Sequence, residues 1–128
     1  MKQFSLMNHH GDELVVLPHG ATLQRWSTML AGERRELILG YPAPASYRQD
    51  PFYLGAVVGP YANRLCEGRF MLDQQVYQLE QNEGTHHLHG GRTGLHRLHW
   101  QVQEQSADGS LRIKKYSLID PFLLDIFS

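Results

Sequence analysis

Short stretches in which apolar and polar residues alternate recur along the chain and predict β-strands. Residues 4–6 alternate in this way, and so do residues 21–26. Residues 14–17 form a continuous apolar run that ends before Pro18, which predicts a strand buried on both faces or a corner between sheets. Residues 37–39 repeat this pattern and predict a further strand.

Two pairs of such stretches predict β-hairpins. Residues 70–72 alternate up to a polar two-residue turn, and residues 76–79 return as the second strand. Later in the chain, residues 100–102 begin a strand that can pair with residues 111–113 across a turn at residues 108–109. Both hairpins are antiparallel by construction, because a short turn reverses the chain.

Helical periodicity is nearly absent, and glycines and prolines separate the predicted strands. Residues 41–51 contain three prolines and no periodicity, which predicts an ordered surface loop rather than a domain linker. Many short strands without helices are typical of an antiparallel sandwich or barrel. We therefore predict an all-β fold.

Composition and charge restrict the classes of function. The chain has 128 residues, 41% of them hydrophobic, which suits a single domain with one core. A formal net charge of -1 gives no overall field for nucleic acid or an anionic membrane, so neither is expected as a partner. Cys66 is the only cysteine, and no apolar run approaches the length of a membrane span. A cytoplasmic protein is expected.

A first candidate site lies in residues 55–64, where small residues precede Asn63 and Arg64. Small residues allow another backbone segment or a ligand to come close. The guanidinium of Arg64 offers a planar set of donors for sugar hydroxyls or a carboxylate, and Asn63 offers both a donor and an acceptor. The alternative is that Arg64 forms a structural ion pair and the glycines serve tight packing.

A second candidate is His89, which stands immediately before Gly90 and Gly91. A neutral imidazole donates from one nitrogen and accepts at the other, which suits hydroxyl recognition and proton transfer near neutral pH. The alternative is that the glycines form a turn and His89 is a polar residue satisfied by its neighbours.

The histidines also raise the question of a metal site. A zinc site needs three or four ligands, but the sequence contains no HExxH motif. The spacing of His96 and His99 would place their side chains on opposite faces of a strand. We therefore predict no metal site among the clustered histidines, which are His86, His87, His89, His96 and His99.

Several segments form an ordered series: residues 55–64 (Gly-Ala-Val-Val-Gly-Pro-Tyr-Ala-Asn-Arg), 69–73 (Arg-Phe-Met-Leu-Asp), 77–79 (Tyr-Gln-Leu), Asn82, 88–91 (Leu-His-Gly-Gly) and Trp100. This series resembles the aldose 1-epimerase (galactose mutarotase) family in order and spacing. The resemblance extends from about Phe4 to about Ile113.

The resemblance implies a galactose mutarotase-like antiparallel β-sandwich and an isomerase that interconverts the α and β anomers of an aldose such as galactose or glucose. In this family a histidine acid protonates the ring oxygen while a glutamate base takes the proton of the anomeric hydroxyl, and no cofactor or metal is required. By position, Arg64 and His89 are implied to bind a monosaccharide, an aldohexose, and Asn63 is implied to support them.

The chain departs from the family pattern at several points. Pro60 stands where the family commonly has an arginine, and Gln74 stands where a glycine usually makes the hairpin turn. No segment matches the family's acid histidine or base glutamate, so the catalytic residues stay unassigned and impaired activity is expected. We expect residues 1–113 to form the N-terminal part of a truncated sandwich and residues 114–128 to form a divergent tail, for which a frameshift is one hypothesis.

Three functions therefore stay open. The chain is an impaired aldose 1-epimerase family protein, a non-catalytic carbohydrate-binding module, or a non-functional fragment whose uncovered apolar face joins copies into a homo-oligomer. An active enzyme would need an acid and a base that the family does not use, drawn from His86, His87, His96, Glu80, Glu83 and Glu104.

Overall fold

The computed structural model describes residues 2–105 and 111–115 of the chain. These residues contain four short 3₁₀ helices, no α-helix and ten strands: β1 (Phe4–Met7), β2 (Glu13–Leu17), β3 (Thr22–Leu30), β4 (Glu33–Glu36), β5 (Arg64–Leu65), β6 (Arg69–Leu72), β7 (Gln75–Gln78), β8 (His87–Leu88), β9 (Trp100–Gln105) and β10 (Leu111–Lys115). All the strand pairs are antiparallel. The prediction of an all-β antiparallel fold is confirmed.

Strands β1 to β4 form one sheet in sequence order, and the other strands form three two-stranded sheets, β5–β8, β6–β7 and β9–β10. The apolar run at residues 14–17 lies in β2, as predicted, and supplies much of the core. Val15 and Val16 are buried there, and Leu17 has no exposed surface. The core therefore sits under the central strands of the largest sheet.

The buried face of β3 is polar rather than apolar. Thr22 and Gln24 are buried, and Ser27 has no exposed surface, whereas Trp26 is 45% exposed. The pairing of β2 with β3 shifts register between Val15 and Val16, and an extra residue at such a bulge changes which side chains face inward. The alternation at residues 21–26 correctly indicates a strand, but it does not reveal this change of face.

The strand predicted at residues 37–39 is wrong. The strand at this point is the polar segment Glu33–Glu36, which pairs with the end of β3. The turn between them has positive φ at Ala31 (51°) and Gly32 (84°), and such a turn fixes the register of the hairpin. Pairing ends at Glu36, and Leu39 beyond it is 77% exposed.

Both predicted hairpins are present. Strands β6 and β7 pair across Asp73 and Gln74, which have φ of 49° and 64°, so Gln74 adopts the left-handed conformation that the family's glycine would favour. Strand β9 pairs with β10, which ends at Lys115. The turn predicted at 108–109 and the remainder of the segment 114–128 lie outside the described residues.

The proline-rich loop predicted at residues 41–51 is anchored to β3 by a tyrosine. It contains the 3₁₀ helix Pro44–Gln49, whose Tyr47 is buried. The Tyr47 hydroxyl donates to the backbone oxygen of Gln24 (3.3 Å) and accepts the backbone N–H of Tyr41 (2.9 Å). Burial raises the pKa of Tyr47, which keeps the hydroxyl protonated at neutral pH.

Candidate functional site

The short pairing of β5 with β8 brings the predicted site residues together. Arg64 lies opposite Leu88, and the backbone N–H of His89 donates to the backbone oxygen of Asn63 at 3.1 Å. Asn63 and His89 are 26 positions apart in the sequence. The structure therefore places Asn63, Arg64 and His89 side by side at one joint between two strands.

A close crossing of two backbone segments holds this joint. Gly90 has a φ of 83° and lies so near the backbone oxygen of Gly59 that a side chain at position 90 would overlap it. The backbone N–H of Leu95 donates to the same Gly59 oxygen at 3.0 Å. The close approach predicted from the small residues of segment 55–64 is confirmed at Gly59.

The imidazole of His89 is held by the backbone of the neighbouring segment. The backbone N–H of Asn63 donates to His89 Nδ1 at 2.9 Å. A ring nitrogen that accepts a hydrogen bond carries no proton, so the proton of the neutral ring lies on Nε2. Among the described residues nothing hydrogen-bonds to Nε2, and its N–H can therefore donate to an oxygen of a ligand.

Arg64 forms an ion pair, so the structural alternative proposed for it is present. Its Nε donates to Oε2 of Glu83 at 2.5 Å, and its Nη2 bonds to Oε1. This hydrogen bonding lowers the pKa of Glu83 and raises that of Arg64. The remaining amino group, Nη1, donates to Oδ1 of Asn63 at 3.4 Å and has no further hydrogen bond to the described residues. The ion pair thus fixes the guanidinium and leaves one edge of it for a further partner.

Asn82 supports the strand that immediately precedes His89. Its Nδ2 donates to the backbone oxygen of Leu88 (3.0 Å), and its Oδ1 accepts the backbone N–H of the same residue (2.8 Å). Both backbone groups of Leu88 in β8 are therefore satisfied by one side chain. The role of Asn82 at this position is to fix the backbone next to His89.

The sequence did not predict two features of the site. One is the place of Tyr53 beside the histidines, and the other is the pairing of Glu83 with Arg64. The Tyr53 ring contacts the rings of both His89 and His96, with centroids 4.7 Å and 5.0 Å away. In the sequence, Tyr53 stands between Phe52 and Leu54 and gives the signal of an apolar strand. The contacts of Tyr53 with the histidines and of Glu83 with Arg64 have no local sequence signal, because they join segments far apart in the chain.

The clustered histidines of the described residues make separate contacts and do not converge on one metal-binding position. Within residues 2–105 and 111–115, no group of three His, Cys, Asp or Glu side chains is arranged to hold a metal ion. His87 is buried, and its Nδ1 lies 2.9 Å from the backbone oxygen of Glu80. His96 and His99 do not share a strand, contrary to the prediction from their spacing, because His96 lies in the 3₁₀ helix Leu95–Arg97.

His96 combines burial with an unsatisfied nitrogen. Arg97 Nε donates to its Nε2 at 3.3 Å, while its buried Nδ1 has no hydrogen-bond partner in the described part of the chain. Burial is the main cause that lowers the pKa of His96, and nearby Arg97 adds to it. Burial also lowers the pKa of His19, with a further effect of Arg48. Both rings therefore favour the neutral form.

We expect the chain to lose stability as the pH falls from about 7.5 to about 5.5. The pKa of His19 and of His96 in the folded chain lies below the ordinary 6.5, so the unfolded chain takes up protons first. The contribution of the two rings to the free energy of unfolding is complete above pH 6.5, and it is lost as the pH falls through and below that value. Urea unfolding at the two pH values measures the loss.

The matched variant for this pH effect is His96→Gln, which removes one of the two rings whose pKa is lowered. Its loss of stability over the same range should be smaller than that of the wild type. Carboxylates with a lowered pKa, such as Asp12 and Glu83, have ordinary values of 3.8 and 4.5 and titrate below this range. An equal pH dependence in the variant and the wild type would contradict the assignment to His96.

An apolar groove lies beside the site without including its polar groups. It has a volume of about 680 Å³ and is lined by residues that include Pro60, Tyr61, Leu65, Phe70 and Leu72. Neither Arg64 nor His89 lines it. The groove is therefore distinct from the candidate site at Arg64 and His89.

Comparison with known proteins decides the family. A sequence model described as Aldose 1-epimerase matches residues 2–120. This chain belongs to the aldose 1-epimerase family. The family match runs past Ile113, and the domain boundary predicted there stays a prediction. No helix among the described residues is long and apolar enough to cross a membrane.

Similar aldose 1-epimerase family members come from several organisms. The chain is 37% identical to a maltose epimerase of Levilactobacillus brevis over 84% of its own length and 32% of that protein. It is 35% identical to an aldose 1-epimerase of Lactobacillus helveticus, over 84% of its own length and 80% of that protein. The crystal structure of an aldose epimerase homologue from C. elegans superposes with a TM-score of 0.79 at 31% identity, over 86% of this chain and 34% of that one.

These comparisons support the β-sandwich assignment, since the matched structure is that of an aldose epimerase homologue. The chain spans about a third of the length of the maltose epimerase of L. brevis and of the aldose 1-epimerase of Escherichia coli that it matches. The residues of the candidate site all fall within the matched range.

Proposed function

We propose that this aldose 1-epimerase family chain binds an aldohexose such as galactose or glucose through Arg64 and His89, with Asn63 in support. The observation that carries the proposal is the hydrogen bond from the Asn63 backbone to His89 Nδ1, because it leaves the proton of the neutral ring on Nε2 as a donor. A sugar hydroxyl or ring oxygen accepts such a donor, and the free edge of Arg64 supplies a second one.

Relatives support the choice of a sugar ligand. Their names include maltose epimerase, aldose 1-epimerase and galactose mutarotase, all of which act on sugars by name. The site is polar and lies at the surface, with Arg64 exposed and His89 half-buried. Such a site suits a hydrated, uncharged ligand that is recognised by hydrogen bonds.

We further propose that the 128-residue chain by itself accelerates mutarotation weakly or not at all. The reaction needs an acid at the ring oxygen and a base at the anomeric hydroxyl. The carboxylate beside the site, Glu83, is engaged by Arg64, and this bonding lowers its pKa and makes it a poorer base. A carbohydrate-binding module is the second candidate, since the same groups would bind a sugar without converting it.

We expect fresh α-D-galactose to bind and to cause shifts in the NMR signals of the site, and His89→Ala should weaken this binding about tenfold. Loss of the Nε2 donor is the physical reason. Titration of the wild type and the variant with galactose and glucose measures the affinity, and polarimetry of the same samples measures the rate of anomer interconversion.

The two readouts separate the candidate functions. Binding with a rate equal to that of buffer supports the binding module, and an accelerated rate that His89→Ala abolishes supports an active epimerase. His10→Ala is the matched control, because His10 is an exposed histidine near the turn before β2. If the folded wild-type chain binds neither sugar, the proposed site is wrong.

A further inference from the structure

Tyr53 lies against the candidate site in a way that neither the sequence nor the comparisons assign. Its ring meets that of His89 at 66° with centroids 4.7 Å apart, and that of His96 at 69° and 5.0 Å. Edge-to-face contacts of this kind are favourable for aromatic rings. Tyr53 is therefore in contact with one proposed sugar-binding residue, His89.

The backbone at Tyr53 adopts a conformation that an aromatic residue seldom takes. Its φ is 57°, in the left-handed region, which is strained for a bulky residue and persists only where the surroundings impose it. A non-glycine residue in this region is a reason to look for a function. Here the conformation turns the Tyr53 ring towards the two histidines.

Asp50 imposes this conformation from the preceding loop. Its Oδ1 accepts the backbone N–H of Phe52 at 2.9 Å, and its Oδ2 accepts that of Leu54 at 2.6 Å. The hydroxyl of Tyr41 donates to Oδ1 at 3.0 Å, and the backbone N–H of Ala56 donates to the oxygen of Tyr53 at 3.1 Å. The residues on both sides of Tyr53 are thus fixed, which offsets the local cost.

The hydrogen bond from Asn63 does not by itself fix the orientation of the His89 ring. Its hydrogen bond with Asn63 fixes Nδ1 but constrains the plane of the ring only weakly, because the bond lies on one side of the imidazole. An aromatic ring packed against the imidazole restricts its rotation about the side-chain bonds. The direction of the Nε2 proton, and therefore the position of a bound hydroxyl, depends on both contacts.

We propose that Tyr53 is a positioning residue, whose ring holds the His89 imidazole so that Nδ1 meets Asn63 and Nε2 faces the ligand. This inference rests on the proposed function, because it concerns the same sugar site. It assigns Tyr53 no contact with the sugar.

The test compares two variants at the same position. Tyr53→Asn removes the ring and tolerates positive φ, whereas Tyr53→Phe keeps the ring and loses only the hydroxyl. The tautomer of His89 is measured by the ¹⁵N NMR shifts of its two ring nitrogens in the ligand-free chain, at about pH 8, where imidazoles are neutral. Galactose affinity is then measured by titration.

Tyr53→Phe should retain the single Nε2–H tautomer and bind galactose with the wild-type affinity. Tyr53→Asn should show averaged signals of the two tautomers and an affinity about three- to tenfold weaker. The matched control is Tyr77→Asn, which removes another aromatic pair, with Phe70, on the β6–β7 hairpin. This control should leave the His89 signals unchanged.

Two results would overturn the role of Tyr53. One is a wild-type His89 pattern in Tyr53→Asn, and the other is an equal change in Tyr77→Asn, which would show a general loss of stability. A wild-type chain that binds no galactose would instead refute the proposed function. The tautomer measurement needs no sugar, so it still decides whether Tyr53 positions His89.

Discussion

Replacing Gly90 with alanine is expected to destabilise the folded chain by about 3 kcal/mol or more. The new Cβ would overlap the backbone oxygen of Gly59, and Gly90 also has a φ of 83°, which alanine disfavours. Backbone atoms on both sides of the contact cannot move aside as a flexible side chain can. Urea unfolding followed by tryptophan fluorescence measures the change in the free energy of unfolding.

Gly84→Ala is the matched control for this substitution. Gly84 also has a positive φ, 58°, but a side chain there would meet no atom within 4 Å. Its cost should be limited to the backbone strain, about 1 kcal/mol. The difference between the two variants isolates the contact with Gly59. If both lose the same stability, the close crossing does not hold the joint between β5 and β8.

Replacing Arg64 with alanine is expected to weaken galactose binding about ten- to a hundredfold. Arg64 supplies a charged donor whose orientation is fixed by Glu83, and such donors form stronger hydrogen bonds than neutral ones. The substitution also releases Glu83, whose carboxylate then lies beside the sugar without its partner. Titration of the variant with galactose by NMR measures the loss of affinity.

Arg64→Lys tests whether geometry or charge is needed. Lysine keeps the charge but cannot reproduce the planar fork that bonds to Glu83 and presents the free edge, so it should bind nearly as weakly as alanine. Arg35→Ala is the matched control, since Arg35 forms a comparable ion pair with Glu33, at 2.6 Å, on β4. Retention of wild-type affinity in Arg64→Ala would remove Arg64 from the site.

Local signals account for the parts of the fold that the sequence predicts well. The β6–β7 hairpin combines alternation with a turn, and both its strands and its pairing are contained within ten residues, from Arg69 to Gln78. The error at residues 37–39 has the opposite origin. There an apolar run resembles a strand, but the pairing of β4 with β3 ends with Glu36 opposite Ser27.

In the candidate site, too, the residues with a local sequence signal could be predicted and the tertiary contacts could not. Arg64 and His89 are predicted from the order of motifs, and the β5–β8 pairing brings them together. The partner of Arg64 and the ring beside His89 could not be predicted, because Glu83 and Tyr53 reach them through tertiary contacts. The buried Ser27 is a similar case, since a register shift between Val15 and Val16 precedes it.

The joint between β5 and β8 is only two residue pairs long, yet Arg64 lies in it and His89 follows it directly. A ligand that contacts both Arg64 and His89 spans this joint and stabilises its closed form. Its measured affinity equals the intrinsic affinity multiplied by the fraction of molecules in which the joint is closed. Substitutions that open the joint from a distance therefore weaken every sugar by the same factor and leave the preference among sugars unchanged.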